Sequence, residues 1–377
     1  MRKRLMGAAA ACGLAMALAA CSGPVPKHET PLSFAIKREM DLKGVSAADP
    51  IMMRIFKEES KLEVWKRTKT GKYIELKSYD ICRWSGDLGP KRKEGDKQAP
   101  EGYYQVTRGL MNPKSSYHLS FNLGYPNTFD QTHGRTGAHL MVHGDCLSAG
   151  CYAMQDKQIE EIYALAREAF DGGQRAIQVQ AYPFRMTPQN LARHRNNPNA
   201  DFWKNLKEGN DHFEVTGAPP SIDVCGRRYV FNAKNERLDP SAPCPQLDVP
   251  ADIRTAVAQK AQQDEQAIQL AVAQLENGGT LAPSNAPVQV AATRDTTVAT
   301  SSTASSQDSP SLMSRLPALR IPGLGGRKDE NQGNAATGYG PADGNAPDPF
   351  AVFDMFVTVD TRSVPRSHVK GDAAGTR

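Results

Sequence analysis

The stretch His143-Gly144-Asp145-Cys146-Leu147-Ser148-Ala149-Gly150-Cys151-Tyr152-Ala153-Met154 decides how the whole chain is read. It follows His139-Leu140-Met141-Val142, an apolar-rich run that reads as a strand. His143 therefore stands at a strand end, and a glycine-bearing loop leads from it to Cys151. The thiolate, not the thiol, is the nucleophile, so a reactive cysteine needs a base close by. A compact loop brings the two side chains together. Gly144 and Gly150 permit tight backbone paths, and Gly150 also lets a substrate come close to Cys151. Backbone N–H groups around Gly150 and Cys151 are candidates for an oxyanion hole. On spacing alone, the same residues equally describe a structural histidine in a glycine-rich turn beside a buried cysteine. His139, Met141 and His143 alternate onto one face of the expected strand. His139 is thus either an assisting group or a packed, hydrogen-bonded one.

Upstream, period-two patterns continue. Ile51 to Phe56 and Leu62 to Trp65 read as strands, Lys69-Thr70-Gly71-Lys72 as a turn, and Tyr73 to Leu76 as the returning arm of a hairpin. Tyr79 to Trp84, Tyr103 to Thr107 and Tyr117 to Leu123 are further expected strands, with a Gly/Pro/charge-rich loop over 86–102. Downstream, Ile159, Ile162, Leu165, Ala166 and Phe170 space a helix that Gly172-Gly173 ends. Ile177 to Ala181 is a strand. Thr187-Pro188 is an N-cap and N1 pair for a short helix to Arg195. A second short helix spans Asp201 to Glu208, and Tyr229 to Phe231 is the last strand. The expected fold class is mostly β with peripheral helices (α+β).

Both ends differ in character. Arg2, Lys3 and Arg4 precede an apolar run from Leu5 to Ala20, the pattern of a secretion signal over residues 1–20. Leu18-Ala19-Ala20-Cys21 resembles a bacterial lipobox, which makes Cys21 the candidate for lipidation. An ordinary signal peptide with an incidental cysteine is the other reading. Acyl chains on Cys21 would anchor the protein to a membrane on the periplasmic side. Ser22, rather than Asp, after Cys21 favours the outer membrane. Residues 21–50 read as a tether with one helix from Leu32 to Lys43, and 51–245 as the catalytic domain. Within the segment 246–278, Ala251 to Asn277 reads as one Ala/Gln-rich helix, and 279–377 is a low-complexity tail with too little apolar content to order itself. Within the tail, Phe350 to Val359 is again apolar and reads as a docking segment.

The chain has 377 residues and a formal net charge of +5. Removing residues 1–20 takes away three basic and no acidic residues, so most of that bias disappears. No basic stripe interleaved with aromatics is present, which excludes a nucleic-acid partner. Without a CxxC pair or HExxH, no metal and no cofactor are expected. Beyond Cys12 and Cys21 stand Cys82, Cys146, Cys151, Cys225 and Cys244, an odd number that leaves an unpaired thiol in an oxidising compartment. Cys225 and Cys244 flank Arg228 to Phe231 and are a possible disulfide. Cys146 is read as an unpaired buried thiol, with oxidation against Cys151 as the alternative.

A strand followed by His143-Gly144, a loop, and Ser148-x-Gly150-Cys151 resembles the signature of the YkuD-type L,D-transpeptidases. The likeness extends to Lys91 through Tyr104, similar to the family's loop ending in P-x-G-x-[FY]. Gly124-Tyr125-Pro126-Asn127 with Asp130, Gly134-Arg135-Thr136-Gly137, Tyr182 through Met186, Phe202-Trp203, Leu206-Lys207-x-Gly209-x-Asp211 and Phe213-Glu214 resemble the YafK-like branch. The resemblance covers roughly residues 50 to 245. It implies Cys151 as nucleophile on a diaminopimelate carbonyl of a peptidoglycan stem peptide, with His143 as base and then acid. It further implies Gly150 as a backbone oxyanion donor, and Ser148 as supporting the loop or orienting His143.

The sequence also departs from the family pattern. The usual Arg soon after the Cys is replaced by Tyr152-Ala153-Met154, and Asn127 stands where an earlier His is usual. Arg135 is then either the substitute carboxylate binder or a solvated turn residue. Gly144, Tyr152 and His139 complete the expected substrate-binding set. Asp145, Glu101 and Asp96 read as loop polar groups. The expected function is an L,D-transpeptidase. A hydrolase of the same family, cutting a diaminopimelate bond such as a link between a lipoprotein and the wall, is the second reading. A non-catalytic wall-binding lipoprotein is the third, and the intact His143, Gly150 and Cys151 argue against it.

Overall fold

The computed structural model describes residues 25–285. The signal-like segment, Cys21, most of the tail and the Phe350 to Val359 patch lie outside the described residues. The elements in chain order are α1 (Phe34–Leu42), β1 (Ile51–Phe56), β2 (Lys61–Arg67), β3 (Tyr73–Asp80), β4 (Arg83–Trp84), β5 (Gly102–Thr107), β6 (Met111–Asn112) and β7 (Ser120–Asn122). There follow α2 (Thr128–Thr132), β8 (Met141–His143), β9 (Tyr152–Ala153), α3 (Asp156–Asp171), β10 (Ala176–Tyr182), α4 (Pro188–Arg193), α5 (Ala200–Thr216), β11 (Ile222–Cys225), β12 (Arg228–Phe231) and α6 (Ala251–Glu276).

Two five-stranded mixed sheets and a hairpin carry the architecture, with helices around them: the fold is α+β. The first sheet runs β3-β2-β1-β10-β5, with β1 and β10 parallel and the other pairs antiparallel. β1 is buried along its whole length because it is central and both its faces are covered. The alternation expected of a half-exposed strand is therefore lost there, and even Arg54 is 0% exposed. Its Nε donates to Gln180 Oε1 at 3.1 Å and its Nη2 to Asn210 Oδ1, its Nη1 has no hydrogen-bond partner among the described residues, and the group stacks 4.8 Å from the Phe213 ring.

The second sheet, β4-β9-β8-β7-β6, is built of two- and three-residue strands. Between the sheets lies a continuous apolar core that includes Ile55, Val64, Tyr104, Phe121, Val142 and Tyr152, closed by α3 through Ile159, Ile162 and Leu165. The α3 stripe recurs at helical spacing, and Gln155 and Gln158 close a capping box at its start.

Four expectations change. Leu32, Ile36, Met40 and Val45 join the main core, so residues 32–50 belong to the folded body rather than to a free tether. Tyr79 to Trp84 is not one strand: Tyr79 and Asp80 end β3, and a break precedes β4 in the other sheet. The helix expected over Asp201 to Glu208 runs on to Thr216, because Gly209 allows close approach instead of ending it. A Cβ there would lie 2.2 Å from the Tyr103 hydroxyl. The last strand has a partner the reading missed, β11, and the Cys225–Cys244 disulfide closes off that hairpin.

Candidate functional site

Register places the site. β8 lies between β7 and β9, with Val142 opposite Tyr152 and His143 opposite Ala153 in the parallel β8–β9 pair. Val142 and Tyr152 both point into the core and are 0% exposed. Side chains one position along each strand therefore turn to the other face, which carries Met141 and His143 on β8 and Cys151 just before β9. The Met141 N–H points at Cys151 Sγ, 3.5 Å away, and the thiol lies 3.9 Å from the His139 carbonyl oxygen.

His143 is buried, at 3% exposed. Its Nδ1 is 2.6 Å from the Gly144 carbonyl oxygen. A carbonyl only accepts, so Nδ1 carries the proton and the neutral ring keeps its Nε2 lone pair free. The Tyr117 ring packs 4.9 Å from the imidazole. Burial pushes the His143 pKa below its ordinary value, opposed by the Gly144 carbonyl and by Asp145. Burial also pushes the Cys151 thiol up, opposed by the Met141 N–H and by the positive charge of Lys91. Cys151 is half-buried and is the free cysteine among the described residues.

The loop from His143 to Cys151 is held at several points. Cys146 is not an unpaired thiol and does not pair with Cys151: it forms a disulfide with Cys82, with a Cα–Cα distance of 5.3 Å. The Cys82 N–H in turn bonds the Ala153 carbonyl at 2.8 Å. Ser148 Oγ donates to the Cys151 carbonyl at 2.7 Å and accepts from the N–H groups of Cys151 at 3.1 Å and Gly150 at 3.4 Å. Ser148 thus shapes the loop rather than orienting His143. The two N–H groups expected to form an oxyanion hole end on its hydroxyl in this conformation, and the backbone donor aimed at sulfur is Met141. Gly144 has a packing reason: a Cβ there would lie 2.6 Å from Asp156 Oδ1 and 2.9 Å from His118 Cβ. Gly150 has a conformational one, with φ at +133°.

Two expected substrate contacts are placed elsewhere, and a third lies at the thiol through its backbone but off the strand face. Arg135 is 9% exposed, paired with Asp130 at 2.7 Å and set 5.0 Å from both the Phe129 and Phe202 rings. Its Nη1 is held by Asp130 and its side chain is largely buried beside the two rings, so it is not a solvated turn residue and offers little open surface to a carboxylate. Tyr152 is a core residue whose hydroxyl donates to the Pro100 carbonyl at 2.6 Å. His139 is exposed, but it precedes β8 in a left-handed conformation (φ +56°), so it does not share the strand face of His143. Glu101 is buried and serves the fold, bonding Lys57 Nζ at 2.9 Å and Trp203 Nε1 at 2.8 Å.

Two side chains near the thiol were not anticipated. Lys91 is 4% exposed and is fixed by Asp96 and by the Lys93 carbonyl at 2.9 Å. Tyr117 packs on His143 and feels the Cys151 charge. The alternation of β7, read back towards Tyr117, was the signal available for the second. A loop lysine gave no such signal. No group of three or more His, Cys, Asp or Glu suited to a metal ion occurs among the described residues.

Residues 45–171 match the model of the YkuD L,D-transpeptidase catalytic domain, a span that includes both His143 and Cys151. The chain is 44% identical over 204 residues to the protein named "Putative L,D-transpeptidase YafK" of Escherichia coli strain K12, covering 54% of this chain and 80% of that one. The same figures hold for the protein of that name in Escherichia coli O157:H7. Among solved structures, the helical cell shape determining protein Pgp2 of Campylobacter jejuni is 22% identical. That match covers 39% of this chain and 54% of that one, at a TM-score of 0.29. Bd1075 of Bdellovibrio bacteriovorus is 23% identical, over 37% and 49% of the two chains, at a TM-score of 0.26. The chain thus spans about half the length of each, and at those scores neither likeness carries an argument.

Proposed function

This chain belongs to the YkuD-type L,D-transpeptidase family, in its YafK-like branch, and on that premise we propose that it is a cysteine L,D-transpeptidase acting on diaminopimelate-containing stem peptides of peptidoglycan. The observation that carries the reading is the shared sheet face. Cys151 Sγ sits on the Met141 N–H, Met141 and His143 share one face of β8, and His143 Nδ1 is committed to Gly144, which leaves Nε2 as the basic nitrogen.

His143 Nε2 takes the thiol proton as sulfur attacks the diaminopimelate carbonyl carbon, and the carbonyl π electrons move to oxygen. When the intermediate collapses, the C–N bond breaks and the imidazolium returns the proton to the departing amine. The resulting thioester is opened by an acceptor amine, which forms the new amide and regenerates the thiol. The Met141 N–H favours the thiolate, as does the Lys91 charge. The Cys82–Cys146 and Cys225–Cys244 disulfides support an oxidising compartment outside the cytoplasm. Membrane attachment through Cys21 belongs to the same proposal.

The test is incubation of the full-length protein with disaccharide tetrapeptides, followed by mass spectrometry. Crosslinked dimers are expected, and Cys151→Ala should abolish them. Shortened or released products without dimers would assign the hydrolase reading instead. Undiminished turnover by the Cys151→Ala protein would overturn thiol catalysis.

A further inference from the structure

His143 ends a strand of three residues, yet it is only 3% exposed. The residues that cover it come from β7 and the turn before it. Ser120 stands directly opposite His143 in the antiparallel β7–β8 pair. The Gly144 N–H bonds the Leu119 carbonyl at 3.1 Å, which makes Ser120 and His143 a non-hydrogen-bonded pair, the kind in which facing side chains come closest. Ser120 is 0% exposed, and its hydroxyl has no hydrogen-bond partner among the described residues. That flank of the imidazole is shut off from solvent.

Tyr117 closes a second flank. Its ring centroid lies 4.9 Å from that of the imidazole, with the planes 43° apart. The ring is held there through the backbone. The Gly144 N–H also bonds the Tyr117 carbonyl at 3.1 Å, and the Gly144 carbonyl is the group that takes His143 Nδ1 at 2.6 Å. Gly144 thus ties the Tyr117 backbone to the tautomer of the base. The Tyr117 N–H bonds Ser115 Oγ at 3.1 Å. His118 takes a left-handed backbone, φ +65°, with its Nε2 2.6 Å from Glu160 Oε1 and its Nδ1 3.5 Å from Asp156 Oδ2 on α3. This turn interrupts the alternation, so that Leu119 enters the core while Tyr117, two residues earlier, lies on the His143 side.

The phenol itself stays uncharged. Burial pushes its pKa above the ordinary tyrosine value, and the charges of Cys151 and Asp145 add to the effect. Tyr117 therefore sets a neutral ring against the imidazole. The charged and titratable groups around His143 are Asp145 on its own loop, Cys151 on the same sheet face, and the His118, Asp156 and Glu160 group beyond Gly144. Lys91 acts on Cys151 from the loop after β4. Resting on the transpeptidase reading, we propose that Tyr117 is a positioning residue of the reaction: its ring keeps water from His143, holds the plane of the imidazole, and so keeps Nε2 a free base beside the thiol. Burial is the largest influence on His143, and it lowers the pKa against the Gly144 carbonyl and Asp145.

The test reads the imidazole directly. Full-length protein carrying isotope-labelled histidine is titrated by NMR, and the His143 signal is identified by its loss in His143→Gln. The native imidazole should titrate below the ordinary value of about 6.5, and Tyr117→Phe should match it. Tyr117→Ala should move it up towards that value. A second small variant, Tyr117→Thr, should repeat the alanine result, and the signals of the other histidines report that the fold is kept. Turnover of disaccharide tetrapeptides across pH is measured on the same proteins. Its acid limb should shift upward in Tyr117→Ala and stay in place in Tyr117→Phe. In the alanine variant kcat should fall about tenfold, short of the roughly 100- to 10,000-fold that loss of a general base costs. An unmoved imidazole in both small variants, or an equal shift in Tyr117→Phe, overturns the proposal. Thiol-dependent dimers from the native protein together with an unmoved imidazole sink the Tyr117 role alone. A shifted imidazole with no thiol-dependent turnover in the native protein sinks the reaction reading and leaves the water-excluding ring standing.

Discussion

Burial moves the two groups of the proposed catalytic pair in opposite directions. It holds His143 below the ordinary imidazole value and lifts the Cys151 thiol above the ordinary thiol value. At neutral pH the resting pair is therefore a neutral imidazole and a neutral thiol, not an ion pair. His143 stays a base to lower pH than a free histidine, whose pKa is about 6.5. The acid limb of turnover should then fall below that value, where protonation of Nε2 removes the base. Alkylation of Cys151 by iodoacetamide should climb steadily from pH 6 into the alkaline range. A plateau of fast alkylation at pH 5 to 6 would show a preformed thiolate–imidazolium pair and contradict this reading. His143 and Cys151 were legible in the sequence because a strand, two glycines and a loop put them together. Arg135 and Tyr152 were misread for a physical reason: residue type tells what a side chain can bind, not what already binds it.

The elements that position these residues are short, and covalent links make up for what hydrogen bonding does not supply. β9 is two residues long, yet it carries the strand end beside Cys151. The Cys82–Cys146 disulfide fixes the loop ahead of it across a separation of 64 residues. Loop-closure entropy sets its contribution at about 4 kcal/mol. The Cys82→Ser/Cys146→Ser protein should lose stability on that scale in urea unfolding, and its Cys151 alkylation rate should change as the loop loosens. Equal stability and reactivity would remove the disulfide from the site's support. Sequence counting found the odd cysteine but could not pair Cys82 with Cys146, because nothing local brings β4 beside β9. α5 makes a second case. Its His212 is buried, accepts from Asn232 Nδ2 at 3.0 Å and ties the helix to the β12 end. Burial holds its pKa down to about 4. A depressed histidine stabilises the fold in its neutral form. That stability is complete above the unfolded value of about 6.5 and is lost as pH falls towards the folded one, up to about 3 kcal/mol. Denaturation at pH 7 and pH 4.5 should show this loss in the native chain and a much smaller one in His212→Gln. Parallel losses in both would assign the pH dependence elsewhere.

At the scale of the whole molecule, long periodic patterns were legible and short strands were not. The α3 stripe and the long α6 were read to within a residue or two because a dozen or more positions vote together. The second sheet depends on pairings across the chain that no two-residue strand can announce. The boundary at residue 50 failed because a helix with two buried residues, Ile36 and Met40, looks like a tether until its partners are known. α6 poses the opposite question, since it buries a single residue, Ala271, and holds on largely by charge. Its Asp264 meets Lys207 at 2.7 Å, and its Lys260 lies 2.9 Å from Glu214 and 3.6 Å from Asp211. Burial raises the Asp211 pKa to about 6 even with Lys207 and Lys260 pulling it down. An acid with a raised folded pKa gives stability that is present below about 4 and lost as pH rises through the folded value. Lys260→Met removes the charge and leaves α6 in place over Asp211, so Asp211 rises further and its ionisation above pH 6 costs the fold more. The variant should stay folded. Its melting temperature should trail that of the native chain by several degrees at pH 7.5, and by clearly less at pH 5. The same deficit at both pH values would mean that Lys260 contributes packing rather than charge, and that it is not what keeps Asp211 tolerable inside the fold.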